Sequence, residues 1–129
     1  MAMAYLEHAN ITVSDIERTS KMLCDLFDWK VRWKGQPGEA KNGGVSWHVG
    51  GDESYVAVYS WRNEGAAENT YTMVGGLNHL GVVVDDLDLV ERRVLDMGIE
   101  TYSHGDYEPG RRFYFRDHDG IEIEVVSYQ

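Results

Sequence analysis

Two histidines 71 positions apart, His8 and His79, head two matching segments, HANITVSDIE (residues 8–17) and HLGVVVDDLD (residues 79–88). A carboxylate, Glu124, lies in the later segment IEIEVV. Two imidazoles and one carboxylate, with no cysteine among them, are a usual donor set for a divalent ion that keeps open coordination positions. Such a set suits Fe(II), Mn(II), Zn(II) or Ni(II). The same residue types also have structural uses. A strand histidine is often a hydrogen-bonded framework residue, and acidic residues on strands commonly face solvent, as Glu122 or Glu124 would if no metal were bound.

The elements that must position these groups follow from periodicity. Alternation sends Ala9, Ile11 and Val13 to one side of a strand and His8, Asn10 and Thr12 to the other. The apolar side must cover a helix, so His8 points away from it, and by the repeat His79 does too, with Leu80, Val82 and Val84 under the second helix. Ile121, Ile123 and Val125 take the helix side of the last strand, which leaves Glu122 and Glu124 with the histidines. In the strand before it, Phe113 and Phe115 go to the core, and Arg112, Tyr114 and Arg116 to the polar side. Asn10, Tyr59 and Arg112 are therefore candidate substrate contacts. Trp47 aligns with Tyr114 through the repeat and would line the same cup or else join the core; a one-residue shift would bring His48 inward instead. Glu7, next to His8, should point away.

Each half runs in the same order. A period-2 stretch leads into a capped helix, with Ser14 and Glu17 forming a capping box and Asp85 or Asp86 capping the second helix. Ile16, Leu23, Leu26 and Phe27 form the apolar face of the first helix, and Leu87, Val90, Val94 and Met97 that of the second, which Gly98 stops. Three strand-like segments follow each helix: about 30–33, 45–49 and 55–61, then about 100–103, 112–116 and 121–128. Turns are marked by residues 35–38, 50–52, Pro109-Gly110 and Asp119-Gly120. AVYSW (residues 57–61) and EVVSY (residues 124–128) match at the end of the halves. The predicted fold is α+β: two tandem βαβββ modules, about 1–62 and 76–129, joined by a linker at about 62–76 into one domain with a curved, cup-like mixed sheet and helices outside. His104 reads as an exposed loop residue, and Cys24 as a small core residue.

Composition agrees with one globular domain: 129 residues, 43% hydrophobic and 26% charged. Twelve basic against 22 acidic residues give a formal charge of −10. Such a field repels phosphate backbones and anionic membranes, so neither nucleic acid nor membrane is an expected partner. One cysteine forms no internal disulfide, and MAMAYLEH has neither the basic nor the apolar region of a leader, so a cytoplasmic location is expected.

With these pieces in place, the sequence resembles the vicinal oxygen chelate superfamily, which includes glyoxalase I, extradiol dioxygenases, methylmalonyl-CoA epimerase and the fosfomycin and bleomycin resistance proteins. The resemblance rests on residues 8–15, on residues 79–86 and on FYFRDHDGIEIEVV (residues 113–126), which is similar to the family's closing motif with His118 where proline is usual. It implies that His8, His79 and Glu124 ligate one divalent metal ion. The family's fourth ligand position falls on Ala57, which can neither bind metal nor move protons, so a three-ligand site like those of extradiol dioxygenases and fosfomycin transferases is implied in preference to glyoxalase I chemistry. Tyr114 sits where it resembles a catalytic tyrosine of the dioxygenases, able to donate a proton or orient a substrate oxygen. The implied activity is that of a metal-dependent enzyme acting on a small substrate with vicinal oxygens, a ring-cleaving dioxygenase or a lyase or isomerase, working as a homodimer. The alternative is a metal-free protein that sequesters a ligand, as bleomycin resistance proteins do.

Overall fold

In a computed structural model of the chain, the structure describes residues 2–61, 69–107 and 110–129. The chain divides into two compact units, Met1–Glu64 and Gly65–Gln129. The first part of the expected linker, residues 62–68, and Pro109 of the expected turn lie outside the described residues.

Unit 1 contains β1 (His8–Thr12), α1 (Ile16–Phe27), β2 (Lys30–Lys34), β3 (Val45–Gly50) and β4 (Tyr55–Ser60). Unit 2 contains β5 (Leu80–Val83), α2 (Leu87–Asp96), β6 (Thr101–Tyr107), β7 (Gly110–Arg116) and β8 (Glu122–Ser127). Each unit is the expected βαβββ. The eight strands are shared between two four-stranded sheets, β1-β4-β3-β2 and β5-β8-β7-β6. In both sheets the first strand pairs in parallel with the last, and the other pairs are antiparallel. The parallel pair needs a crossover, which the helix and two strands supply.

Both helices begin on an aspartate. Asp15 accepts the amide of Arg18 at 3.1 Å, and Asp86 that of Leu89 at 3.0 Å. The first cap is thus one residue beyond the expected Ser14, because the Asp15 carboxylate reaches the third amide and its charge also suits the helix N-terminus. At the other end of α2, Gly98 takes φ +79° and turns the chain out of the helix. α1 buries Leu23, Leu26 and Phe27 as expected, together with Thr19, Ser20 and Met22. α2 buries Leu87, Val90 and Val94. Met97 is instead 39% exposed, since it lies past Asp96, the last helical residue, as the cap before the turn. Among the described residues no helix is long and apolar enough to cross a membrane.

Beneath α2, Phe113, Phe115, Ile123 and Val125 are at most 1% exposed. Burying each contributes about 1.5–3 kcal/mol relative to leaving it in water, so this core fixes the register of β7 and β8. A one-residue slip would drive Glu122 and Glu124 into that core and expel the phenylalanines. The core thereby determines where the acidic residues must point.

Candidate functional site

Unit 2 brings two of the three expected donors together. His79, the residue before β5, sets Nε2 3.0 Å from Oε1 of Glu124 on β8. Arg112 on β7 donates from Nη1 to the other oxygen of Glu124 at 2.7 Å, and both side chains of this pair are nearly buried. Tyr114 pairs across the ladder with Glu124 and meets the His79 ring edge-on, with centroids 5.6 Å apart. Tyr102 on β6 stacks on Tyr114 at 6.2 Å.

Behind His79 lies a second acid, and its burial differs from the expected solvated face. Glu122 is 5% exposed. Tyr102 donates to its Oε2 at 2.5 Å, Arg116 stands 3.3 Å from the same oxygen, and Tyr71 donates to Oε1. Burial raises the Glu122 carboxyl, but the two phenol hydrogen bonds and the charges of Arg116 and His79 outweigh it, and the group lies below its ordinary value. The phenols move the opposite way. The hydrogen bond to Glu122, then burial, pushes Tyr71 up to about 12, and burial, then the bond to Glu122, pushes Tyr102 up to about 12. Tyr71 also lies 3.3 Å from Nδ1 of His79. Neither tyrosine was singled out in the sequence; Tyr71 falls in an aperiodic stretch and Tyr102 in a strand whose register shifts between Tyr102 and Gly105.

Asp117 holds the turn that feeds β8. Its Oδ1 accepts the amides of Asp119 and Ile121 at 2.8 and 2.9 Å, and Gly120 closes the turn at φ +81°. His118, at the usual proline position, contacts Asp119 at 3.5 Å, so the departure leaves the turn intact.

In unit 1, His8 is paired with Tyr55 of β4, Asn10 with Ala57 and Thr12 with Tyr59. Glu7 does not point away as expected. Its Oε1 accepts from His8 Nδ1 at 2.9 Å and from the Tyr55 hydroxyl at 3.1 Å, because Glu7 precedes β1 and is not bound by the alternation. These two bonds, first from His8 and then from Tyr55, lower its carboxyl.

The register of β3 corrects the placement of Trp47. His48 pairs with Ala57, as Tyr114 pairs with Glu124, whereas Trp47 pairs with the fully buried Val58 and lies on the helix side with Val49. His48 therefore occupies the place expected of Trp47. Burial, followed by the charges of His8 and Arg32, holds its imidazole below the ordinary value. The Tyr59 hydroxyl is engaged by the carbonyl of Lys41 at 2.5 Å. His104 is exposed as expected but belongs to β6, where the shifted register aims its Nε2 at Glu91, 2.5 Å away. Cys24 is half-buried, and burial raises its thiol, which lowers its thiolate fraction.

Among the described residues no three His, Cys, Asp or Glu side chains form a metal-binding group. The donor chemistry nevertheless fits an ion. Ligand bonds of about 2.1 Å at a right angle give a donor separation of about 3.0 Å, and the His79–Glu124 separation is 3.0 Å. Each histidine also has its Nδ1 against an oxygen of a neighbouring side chain, the usual support of a ligating imidazole.

Comparison with curated protein sequences finds no match. Among solved structures, a glyoxylase/bleomycin resistance protein/dioxygenase domain from Frankia sp. EAN1pec is similar at 21% identity and TM-score 0.80, over 99% of this chain and 100% of that one. The fosfomycin resistance protein FosX from Mesorhizobium loti is similar at 25% identity and TM-score 0.72, over 97% of this chain and 92% of that one. A FosX variant from Listeria monocytogenes, complexed with Mn(II) and 1S,2S-dihydroxypropylphosphonic acid, is similar at 19% identity and TM-score 0.73, over 97% and 93%. The sequence profile of the Glyoxalase/Bleomycin resistance protein/Dioxygenase superfamily matches residues 5–125, and the chain belongs to that superfamily.

Proposed function

We propose that the protein is a metal-dependent enzyme of the glyoxalase and dioxygenase type, in which His8, His79 and Glu124 hold one Fe, Mn, Zn or Ni ion that takes paired oxygens of a small substrate. The observation that carries this reading is the His79–Glu124 pair, a nitrogen and a carboxylate oxygen 3.0 Å apart on the polar face of unit 2. The likeness to FosX of Mesorhizobium loti supports it, as does the binding of Mn(II) with a vicinal diol by the Listeria FosX variant. A bound ion supplies Lewis acidity, stabilising negative charge that develops on the substrate oxygens. The chain's own residues do the rest. Arg112 keeps the second oxygen of Glu124 occupied, leaving Oε1 for ligation. Tyr114, beside His79, orients a substrate oxygen or gives it a proton. Asn10, Tyr59 and His48 are proposed substrate contacts in unit 1, and the working form is proposed to be a homodimer.

A second reading is a metal-free ligand-binding protein. It is favoured by Glu124 having both oxygens engaged within the chain, by His79 and Arg112. Elemental analysis separates the two. Protein purified without chelator or metal-affinity tag should carry about one equivalent of metal per chain, lost when His8, His79 and Glu124 are all replaced by alanine. No metal, even after reconstitution with each ion, would remove the enzyme reading in favour of ligand sequestration. Light scattering tests the dimer, which a monomeric mass would exclude.

A further inference from the structure

The irregular register of β2 changes what the polar face of unit 1 displays. Val31 pairs with Val49 and Trp33 with His48, so Arg32 and Trp33 together oppose the single residue His48. Val31 follows the buried Val49 to the helix side, and alternation turns Arg32 the other way. Trp33 joins it there, stacked on His48 with centroids 4.7 Å apart. In unit 2 the extra residue goes to the opposite side. Ser103 and His104 oppose Phe113, which lies in the core, and His104 reaches Glu91 of α2. The bulge in unit 1 is therefore the one that brings a second side chain to the polar face.

That side chain is a cation with no carboxylate to pair with among the described residues. The guanidinium carbon of Arg32 lies over the Tyr55 ring, 4.6 Å from its centroid, a contact that engages the charge and none of the five N–H donors. The carboxylates that feel its field are engaged elsewhere, Glu7 by His8 and Tyr55 and Asp52 by Lys30. In unit 2, by contrast, Arg111, Arg112 and Arg116 each have a carboxylate oxygen within 3.3 Å. With 22 acidic residues against 12 basic ones, acidic partners are in excess in this chain, yet the bulge holds Arg32 where none reaches it. Beside it stands an open aromatic surface. Trp33 is 52% exposed, and its ring lies so close over Gly35 that a Cβ there would come within 2.8 Å of it. The Tyr55 ring that carries Arg32 also stacks on His8, with centroids 4.8 Å apart, so one ring separates the guanidinium from that imidazole.

We propose that Arg32 and Trp33 form an anion-recognising subsite, in which the guanidinium takes the carboxylate of a small molecule and the indole takes its flat, unsaturated body. A carboxylate accepts two parallel N–H bonds from the planar fork of an arginine. Arg32 is the specificity-determining residue, selecting acids over neutral molecules of the same shape. That the acid is the substrate of the metal site, with its paired oxygens one ring away at His8, rests on the metal reading above. The subsite itself exists without a metal.

The test is NMR titration of the metal-free, 15N-labelled chain with benzoate, benzamide and inorganic phosphate, followed at the Trp33 indole N–H and the Arg32 Nε–H, beside calorimetric titration with Zn(II). Benzoate should move both signals. Arg32→Gln should weaken benzoate binding by about 10- to 100-fold, the worth of a charge-assisted hydrogen bond. Benzamide, which has the shape without the charge, should bind the parent as weakly as benzoate binds that variant, and Trp33→Ala should weaken benzoate but not phosphate. Arg32 and Trp33 are both exposed, so these variants should fold. Equal benzoate affinity in the parent and Arg32→Gln overturns the proposal, as does the absence of any benzoate-induced shift. Phosphate bound as tightly as benzoate overturns it too, since that would be a charge without its aromatic platform. Benzoate bound at Arg32 by a chain that takes up no Zn(II) would support the subsite while removing the metal reading.

Discussion

The two units have one skeleton and two different polar faces. Each is βαβββ, each helix is capped by the aspartate that the repeat brings into register, Asp15 or Asp86, and each second sheet strand has an irregular register. On the face away from the helix the likeness is incomplete. Unit 1 carries a row of rings, one from each strand: His8, Tyr55, His48 and Trp33, with successive centroids 4.8, 4.3 and 4.7 Å apart. Unit 2 keeps rings at three of those places, His79, Tyr114 and Tyr102, but replaces Tyr55 by Glu122 and adds Glu124 for Ala57 and Arg112 for Ser46. The contrast follows from what the fold constrains. Core packing dictates the helix side of each strand, residue by residue, whereas the opposite side must only avoid slipping the register. That side was free to keep an unbroken row of rings in one unit and to take charges among its rings in the other.

The largest expected effects come from removing the donors of unit 2. Under the metal reading, His79→Ala or Glu124→Ala should weaken Zn(II) binding by more than about 100-fold, beyond the loss of a supporting residue. Calorimetric titration checks this. Equal binding by the parent and Glu124→Ala would break the assignment of the metal to the charged face.

The next effect tests whether one unit can be converted into the other. Ala57 is 3% exposed and pairs with Asn10 and His48, with no cation at the place of Arg112. Ala57→Glu should therefore destabilise unit 1 by about 3–5 kcal/mol, the cost of a buried charge left unpaired. Adding Ser46→Arg recreates the Arg112–Glu124 arrangement and should recover about 1–3 kcal/mol as a non-additive coupling. Urea unfolding of the two single variants and the double variant measures it. Strict additivity would show that the two faces do not correspond as the ladders indicate.

Most of the skeleton was legible because it follows from repeated, periodic signals. The alternation in residues 8–13 and 79–84, the apolar face of each helix and the Phe113–Phe115 phase all predict the observed faces, and with them the side on which Glu124 lies. The errors have local causes. In β3 the phase of Val45, Trp47 and Val49 already places Trp47 on the helix side and His48 opposite, but matching aromatic Trp47 to aromatic Tyr114 overrode it. Ser14 and Asp15 are both competent caps, and a one-residue choice between them has no periodic signal to decide it. Glu7 and Tyr71 lie outside regular elements, where no alternation indicates direction. The burial of Glu122 depends on Tyr71 and Tyr102, contacts 51 and 20 residues distant in sequence. Long-range polar contacts of this kind leave no pattern in a single sequence.

Where the units agree, equal perturbations should have equal effects. Asp15→Ala and Asp86→Ala each remove one side-chain acceptor from a helix amide and should each cost about 1 kcal/mol. Urea unfolding of both variants measures the two costs, and a difference larger than the caps themselves would show that one helix is held chiefly by its packing.

The smallest effect concerns the turns that lead into the last strand of each unit, and it is a matter of pH. Unit 1 turns at Gly50, Gly51 and Asp52, and Asp52 is exposed beside Lys30, whose hydrogen bond lowers its carboxyl. Unit 2 has Asp117 at the place of Gly51, 7% exposed, with Oδ2 making no hydrogen bond. Burial raises the Asp117 carboxyl above its ordinary 3.8 despite the amides of Ile121 and Asp119. A carboxyl that holds its proton more tightly when folded destabilises the fold once ionised, so this contribution is unfavourable at neutral pH and fades as pH falls through the raised value toward 3.8. Asp117→Asn retains an oxygen for the two amides and removes the charge. Its stability relative to the parent should therefore be greatest near pH 7 and decline on acidification through that window, as measured by urea unfolding at a series of pH values. Asp52→Asn should show the opposite slope, since it removes a carboxylate that the folded state favours, and added salt should flatten that slope because the Lys30 pair is open to solvent. A parallel pH dependence in the two variants would mean that burial in the unit 2 turn does not separate it from its glycine counterpart.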